Sequence, residues 1–265
     1  MSCRFFLALA CIAVLGAVPA RASRVQTGFL DRTIEISGIA YRYQVYVPAG
    51  YRSKKSWPVI LFLHGAGERG SDGLLQTDVG IGHAIRQNPS RFPLIVVFPQ
   101  CPLGKIWGEP DMQSLAIDAL DAAIREFHGD RSHIYLTGLS MGGFGTWETA
   151  ARNPGRFAAI VPVCGGVQPP KDWPQLRVTL FDDPKITDPF ADLARKIGNT
   201  PVWMFHGDAD QAVPVEQSRQ MATALKAAGA NVKYTEYAGV DHNSWDKAYT
   251  EPELMPWLLA QSLNR

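Results

Sequence analysis

The sequence has few cysteines and no excess of either charge. Only 4 of its 265 residues are cysteine, and 26 Lys and Arg stand against 25 Asp and Glu, a net charge of +1. A nucleic-acid-binding protein needs a surplus of basic residues on one face, and a zinc site needs a Cys-x-x-Cys or Cys/His cluster, which is absent here. Because 46% of the residues are hydrophobic, a disordered chain is also excluded. The favoured partner is therefore a small molecule.

The N-terminal 22 residues are typical of a secretory signal peptide. A short basic start precedes an apolar run from Phe5 to Val18, and a small-x-small pattern predicts cleavage after Ala22. The alternatives are an uncleaved anchor or a buried N-terminal helix. The run is too short to cross a bilayer of about 30 Å, so we expect no membrane span in the mature chain. We expect residues 23–265 to form one secreted or periplasmic domain.

Cleavage would change both the charge and the cysteine count. The removed segment carries two basic residues and no acidic one, so the mature net charge would be −1. Only Cys101 and Cys164 would remain. In an exported protein these two form either one disulfide or two buried thiols, and the sequence leaves both possibilities open.

Hydrophobic runs alternate with helical patterns along the rest of the chain. We expect strands at 42–47, 59–64, 94–98, 134–139, 158–163, 202–206 and 232–237. We expect helices at 113–127, 144–152, 215–228 and 251–263. This alternation predicts an α/β fold with a mostly parallel sheet covered by helices on both faces. Residues 168–199 are rich in Pro and Asp and interrupt the pattern, which predicts a surface loop or a lid over the site.

The motif Gly138-Leu139-Ser140-Met141-Gly142 carries the chemistry. It follows a predicted strand and precedes a predicted helix, the context in which G-x-S-x-G forms a nucleophile elbow. The glycines are needed because side chains at those positions would collide with the neighbouring strand and helix. The sequence therefore predicts Ser140 as a nucleophile.

Four segments together resemble a known superfamily. They are Leu61–Gly67, Thr137–Gly143, His206–Pro214 and Asp241-His242. They resemble the α/β-hydrolase superfamily, and within it the secreted esterases grouped with feruloyl esterases, polyhydroxyalkanoate depolymerases, phospholipase/carboxylesterases and prolyl-oligopeptidase-like hydrolases. The resemblance covers nearly all of the chain from about Arg42 onward.

The resemblance implies a catalytic triad in the chain order Ser, acid, His. Two histidines follow Ser140, and His242, in a loop before the last helix, is the expected general base. His206 ends a strand, where a structural role is expected. The pattern His-Gly-x-x-Asp-x-x-Val-Pro selects Asp210 as the acid, with Asp208 as the alternative.

An oxyanion hole is the remaining requirement. The resemblance implies the backbone amides of Met141 and Ala66 as its donors, with His64 shaping the loop. Gly67 and Trp107 are candidate pocket residues, although a large aromatic such as Trp107 is as often part of the core.

These expectations describe an exported serine esterase that acts through an acyl-enzyme on a small-molecule or polymer-linked ester. No metal or cofactor is implied. One alternative is a prolyl-oligopeptidase-type peptidase, which is disfavoured because such enzymes usually carry an additional gating domain. Another is a catalytically silent binding module of the same fold. The acyl and alcohol groups of the substrate and the oligomeric state are left open by the sequence.

Overall fold

The computed structural model describes residues 26–263, which contain an eight-stranded sheet. The predicted signal peptide, 1–22, lies outside these residues. The strands are β1 Gly28–Ile36, β2 Ile39–Val47, β3 Trp57–Leu63, β4 Ile95–Pro99, β5 Gly129–Leu139, β6 Ala159–Val163, β7 Val202–Gly207 and β8 Val232–Tyr237. Their spatial order is β1-β2-β4-β3-β5-β6-β7-β8, and β3 to β8 run parallel while β1 and β2 are antiparallel. The predicted mostly parallel sheet is confirmed.

Within the described range, 26–263, seven α-helices surround this sheet. They are α1 Ile81–Gln87, α2 Pro110–Glu126, α3 Met141–Arg152, α4 Pro189–Ile197, α5 Glu216–Ala227, α6 Trp245–Thr250 and α7 Leu254–Leu259. Two separate clusters of buried hydrophobic residues lie on the two faces of the sheet, one packed by α2 to α5 and the other by α1, α6 and α7. Along β3, Leu61 belongs to the first cluster and Phe62 to the second, since successive strand side chains point to opposite faces. The predicted α/β fold with helices on both faces is confirmed.

The hydrophobic pattern of the sequence does not predict β1. This strand pairs with β2 through all nine of its residues in a hairpin at the edge of the sheet. The turn residues Ser37 and Gly38 both have positive φ angles, 50° and 81°, as a two-residue hairpin turn requires. Charged residues such as Asp31 and Arg32 interrupt the apolar pattern of this strand, and the hairpin is set by its turn.

Two helical expectations need correction. The helix expected over 251–263 is too long, because α7 covers only Leu254–Leu259, and α6, which ends at Thr250, was not predicted. Glu251, which follows α6, has a φ of −56° and a ψ of 119°, outside the helical region. Pro252 follows Glu251 and disfavours the helical conformation of the residue before it. The segment 168–199 also contains α4, which begins where the Asp188 side chain accepts a hydrogen bond from the Ala191 amide.

The loop after β3 is held by a buried histidine. His64 Nδ1–H donates to the Gly65 carbonyl at 2.7 Å, and His64 Nε2 accepts from the Cys101 amide at 2.9 Å. The Trp107 indole donates to the His64 carbonyl oxygen at 3.0 Å and packs edge-on against the imidazole ring. Because His64 is completely buried, its pKa is lowered to about 4. The expectation that His64 shapes this loop agrees with these contacts.

Cys101 and Cys164 are both buried free thiols, so of the two possibilities the structure favours unpaired cysteines. Burial raises the pKa of the Cys101 thiol to about 12 and also raises that of Cys164.

Among residues 26–263, no helix has both the length and the apolar composition needed to cross a membrane.

We expect iodoacetamide to leave Cys101 and Cys164 unmodified in the folded protein and to alkylate both after unfolding in guanidinium chloride without reductant. The reacting species is the thiolate, which burial suppresses in both residues. Peptide mass spectrometry measures the modification. A disulfide-linked peptide containing both residues would contradict the structure.

The low pKa of His64 predicts a pH-dependent stability. Below about pH 6.5 the unfolded chain binds a proton on His64, whereas the folded chain does so only near pH 4. As the pH is lowered from about 6.5 to about 4, the free energy of unfolding should therefore fall by up to roughly 3 kcal/mol through this residue alone. Urea unfolding of the wild type and of His64→Gln at several pH values isolates this contribution, since the variant lacks it. Equal pH slopes in the two proteins would refute it.

Candidate active site

Ser140 occupies a strained turn between β5 and α3. Its φ of 53° and ψ of −120° lie outside the conformations that side-chain-bearing residues normally adopt. A Cβ atom on Gly142 would lie 1.8 Å from the Leu63 carbonyl oxygen, and one on Gly138 would lie 2.2 Å from the Gly142 carbonyl oxygen. The steric reason given for the glycines therefore holds in the structure, and the tight turn projects Ser140 at the end of the sheet.

Three side chains predicted from the sequence lie in one hydrogen-bonded chain. His242 Nε2 is 2.8 Å from Ser140 Oγ, and His242 Nδ1 is 2.7 Å from Asp210 Oδ2. A carboxylate can only accept, so the imidazole carries its proton on Nδ1 and Ser140 donates its hydroxyl proton to Nε2. These residues follow β5, β7 and β8, and the sheet brings them together across 102 positions of sequence.

Asp210 has a buried side chain with all of its acceptor positions occupied. Its Oδ1 accepts from the amides of Ala212 and Val213 at 2.9 and 2.8 Å, and its Oδ2 accepts from His242 and His206. Burial by itself would raise the pKa of Asp210, but the hydrogen bonds from both histidines and the Val213 amide hold it below its ordinary value. The carboxylate is therefore ionised wherever the protein is folded near neutral pH.

Asp208, the alternative acid, lies outside this chain. It is exposed, and its carboxylate accepts from the Gly239 amide at 2.6 Å. Asp241 plays a similar part, since it accepts from the amides of Gln211 and His242. Both carboxylates fix the loop that carries His242.

Of the two predicted oxyanion donors, Ala66 lines the cavity beside Ser140, and Met141 directly follows Ser140 in the chain. Ala66 begins a short 3₁₀ turn, Ala66–Glu68, after β3, and it lines a cavity together with Ser140 and His242. Met141 is the first residue of α3, so its amide has no acceptor within the helix. Arg69 holds the turn through a hydrogen bond from its guanidinium to the Ala66 carbonyl oxygen at 3.0 Å.

The cavity beside Ser140 has a volume of about 270 Å³. Gly67 lines it as expected, but Trp107 does not, because the indole is buried in the core, where it supports His64. The 168–199 segment supplies two walls, Trp173 and Leu176. The remaining walls are Gly65, Glu68, Leu139, Ala212, Val213 and Trp245. A larger groove of about 780 Å³ between α4 and α5 contains none of the predicted site residues.

His206 contacts the carboxylate of Asp210, which its sequence motif did not predict. Its ring is completely buried at the end of β7 and lies 3.1 Å from Asp210 Oδ2. The motif His-Gly-x-x-Asp places the two residues four positions apart, but spacing alone gives no sign of a shared hydrogen bond.

One group of side chains has the composition of a metal site. Donor atoms of Cys164, Asp210 and His242 lie within 4.8 Å of one another. Asp210 and His242 already share a hydrogen bond of 2.7 Å, and burial raises the pKa of the Cys164 thiol, which opposes the thiolate that a metal needs. Their arrangement is therefore explained by the hydrogen-bonded chain.

Comparison with known proteins identifies relatives. The chain is 31% identical to a thermostable esterase of known crystal structure, with a TM-score of 0.73, over 88% of this chain and 63% of the other. It shares its fold with a ferulic acid esterase at 17% identity and a TM-score of 0.66, over 88% of this chain and 100% of the other.

A secreted protein of Arthroderma benhamiae, described as uncharacterized, is 30% identical over 201 residues, 70% of this chain and 21% of the relative. The chain spans 21% to 45% of the length of seven curated relatives. The sequence pattern of the prolyl oligopeptidase family matches residues 106–260, which include Ser140, Asp210 and His242. With this match over more than half of its length, the chain belongs to the prolyl oligopeptidase family, within the α/β-hydrolase superfamily.

Proposed function

We propose that this protein is an exported serine esterase that hydrolyses carboxylic esters through an acyl-enzyme. The observation that carries the proposal is the chain of short hydrogen bonds from Ser140 through His242 to Asp210, at the edge of an apolar cavity. A nucleophile, a base within hydrogen-bond reach and a group that orients the base are the parts such a mechanism needs.

In the first half of the reaction, Ser140 Oγ attacks the ester carbonyl carbon while its proton passes to His242 Nε2. The carbonyl electrons move to oxygen, and the amides of Met141 and Ala66 donate to this oxyanion. Each such donor contributes on the order of 3 kcal/mol in the transition state. When the intermediate collapses, the alkoxide leaves with the proton from His242, and the acyl group stays on Ser140.

Water completes the cycle. It attacks the acyl carbon while giving a proton to His242, and the proton then returns to Ser140 as the acid leaves. Asp210 stays ionised throughout, because its hydrogen bonds keep its pKa low, and it stabilises the imidazolium that forms twice in each turnover.

The cavity supports a small substrate with an apolar group. Its volume of about 270 Å³ lies just below the range typical of sites for drug-sized ligands. Leu139, Val213 and Trp245 give the cavity apolar walls, and the 168–199 segment adds Trp173 and Leu176. We infer that this segment selects substrates by contact with the acyl or alcohol group.

Export is supported by the signal-peptide pattern of residues 1–22 and by similarity to a fungal protein described as secreted. Membership of the prolyl oligopeptidase family also favours a second candidate, a peptidase that uses the same residues on an amide bond. The two candidates differ in the leaving group, so a panel of matched p-nitrophenyl esters and p-nitroanilide peptides separates them.

We expect Ser140→Ala to abolish hydrolysis of p-nitrophenyl acetate and labelling by a fluorophosphonate probe, because both need the serine oxygen. Asp210→Asn should lower kcat by up to about 10⁴, since it disturbs the orientation of His242. Ser90→Ala changes an exposed serine and should behave like the wild type. Steady-state kinetics measures the loss of turnover in Ser140→Ala and Asp210→Asn, and gel fluorescence measures labelling by the probe. Turnover by Ser140→Ala would overturn the proposal, and a wild type that the probe does not label would indicate a silent binding module.

We expect Trp173→Ala to lower kcat/KM roughly 3- to 10-fold for esters with long or aromatic acyl groups, through loss of an aromatic contact. Acetyl esters should be hydrolysed as before, because Trp173 is 41% exposed and lies at the rim of the cavity, outside the hydrogen-bonded chain. Lys171→Ala, an exposed change in the same segment, serves as the control. If the two variants show the same acyl-chain profile, the segment has no part in selectivity.

A further inference from the structure

His206 joins three elements through the two nitrogens of one ring. Its Nε2 lies 3.1 Å from Asp210 Oδ2 and 3.0 Å from the Val213 carbonyl oxygen, and its Nδ1 lies 2.7 Å from Ser218 Oγ. A carboxylate and a carbonyl only accept, so Nε2 carries a proton that is shared between them. In the neutral ring Nδ1 then accepts from the Ser218 hydroxyl on α5, and every polar atom of the ring has a partner.

Asp210 Oδ2 thus accepts from two imidazoles, His206 on one side and His242 on the other. The side chains of His206 and Asp210 are both fully buried, so water cannot replace either donor. We propose that His206 is a positioning residue: its Nε2–H fixes the Asp210 carboxylate and draws charge from the oxygen that holds His242. The inference rests on the proposed function, because it assigns a role within the same reaction.

Orientation is the first consequence of this contact. Asp210 lies in a turn after β7, where its Oδ1 is held by two amides of the same turn. His206 adds a donor from β7 itself, and Ser218 ties the ring to α5. The carboxylate is therefore fixed relative to the sheet as well as to its own turn. Because Nε2 also donates to Val213, the same ring positions a residue that lines the cavity.

Charge is the second consequence. A hydrogen bond to Oδ2 stabilises the ionised carboxylate and makes it a weaker acceptor toward His242. Without this bond, Asp210 would hold the imidazolium form of His242 more strongly, and the free base would be available only at higher pH. The acid limb of the pH profile of kcat/KM reports this change, since it follows the titration of the base in the free enzyme.

Other titratable groups lie near His206 and Asp210, and the substitutions of His206 used in the test leave them unchanged. Glu236 on β8 is the register partner of His206, and its carboxylate is paired with Arg219 and accepts from the Tyr234 hydroxyl. The Cys164 thiol lies near Asp210, and burial raises its pKa so that it stays neutral.

Two substitutions of His206 separate its contacts. The Gln amide nitrogen is as many bonds from Cα as His Nε2, so His206→Gln keeps a donor toward Asp210 and Val213. The Asn amide ends one bond earlier, at the position of Nδ1, so His206→Asn keeps a polar group near Ser218 and loses the donor to Asp210. Both variants place a neutral amide in the same buried site, which makes them a matched pair.

We expect His206→Asn to lower kcat for p-nitrophenyl acetate at least about tenfold, the scale seen when a partner that orients a histidine ligand is removed. The acid limb of its kcat/KM profile should move to higher pH, and KM should change little. His206→Gln should recover most of kcat and place the limb near its wild-type position. Thermal unfolding verifies that each variant is folded.

The inference is overturned if folded His206→Asn keeps the wild-type kcat and acid limb. It is also overturned if both variants lose the same activity with no movement of the limb, since a purely structural role predicts that result. A folded His206→Gln that loses as much kcat as is expected of His206→Asn also contradicts the inference, so each variant tests it separately. Failure of the proposed function is distinct: Ser140→Ala would then retain turnover, whatever the His206 variants do.

Discussion

The close approach of α3 to the end of β3 is the contact on which the rest of the site depends. The backbone at Gly142 meets the Leu63 carbonyl oxygen at a distance that leaves no space for a Cβ atom. Ser140 precedes this helix, and the turn carrying Ala66 follows this strand, so one junction holds the proposed nucleophile and the proposed oxyanion donor together. Because protein interiors resist compression, a shift of this junction would displace both groups at once.

Much of the fold follows from patterns within short segments. The parallel strands β3, β4 and β6 are buried on both faces and appear in the sequence as continuous apolar runs, which is why their ends were predicted to within two residues. The edge strand β1 escaped because charged residues break its apolar pattern and its pairing is fixed by the turn at Ser37 and Gly38. The helix α4 was missed because Asp188 and Pro189 resemble loop residues in composition, although they begin a helix.

The candidate site could be predicted from the sequence less completely than the fold. Ser140 could be found from a local motif, because the motif itself imposes the turn. His242 and Asp210 needed the resemblance to a superfamily, since their meeting depends on the order of strands in the sheet. Neither route could predict the contacts of His206 or decide whether Trp107 lies in the pocket or in the core. They depend on where side chains point after the chain has folded, and no spacing encodes that.

The 168–199 segment supplies two of the residues that line the cavity but none of the hydrogen-bonded residues, so substitutions in these two groups have different effects. Ser140, Asp210, His242 and His206 all lie outside the segment, whereas Trp173 and Leu176 lie within it. Substitutions in the segment can reshape the cavity while the hydrogen-bonded chain keeps its geometry. Under the proposed function, this stretch is therefore the region to exchange when a change of selectivity is wanted and the hydrogen-bonded residues are to stay as they are.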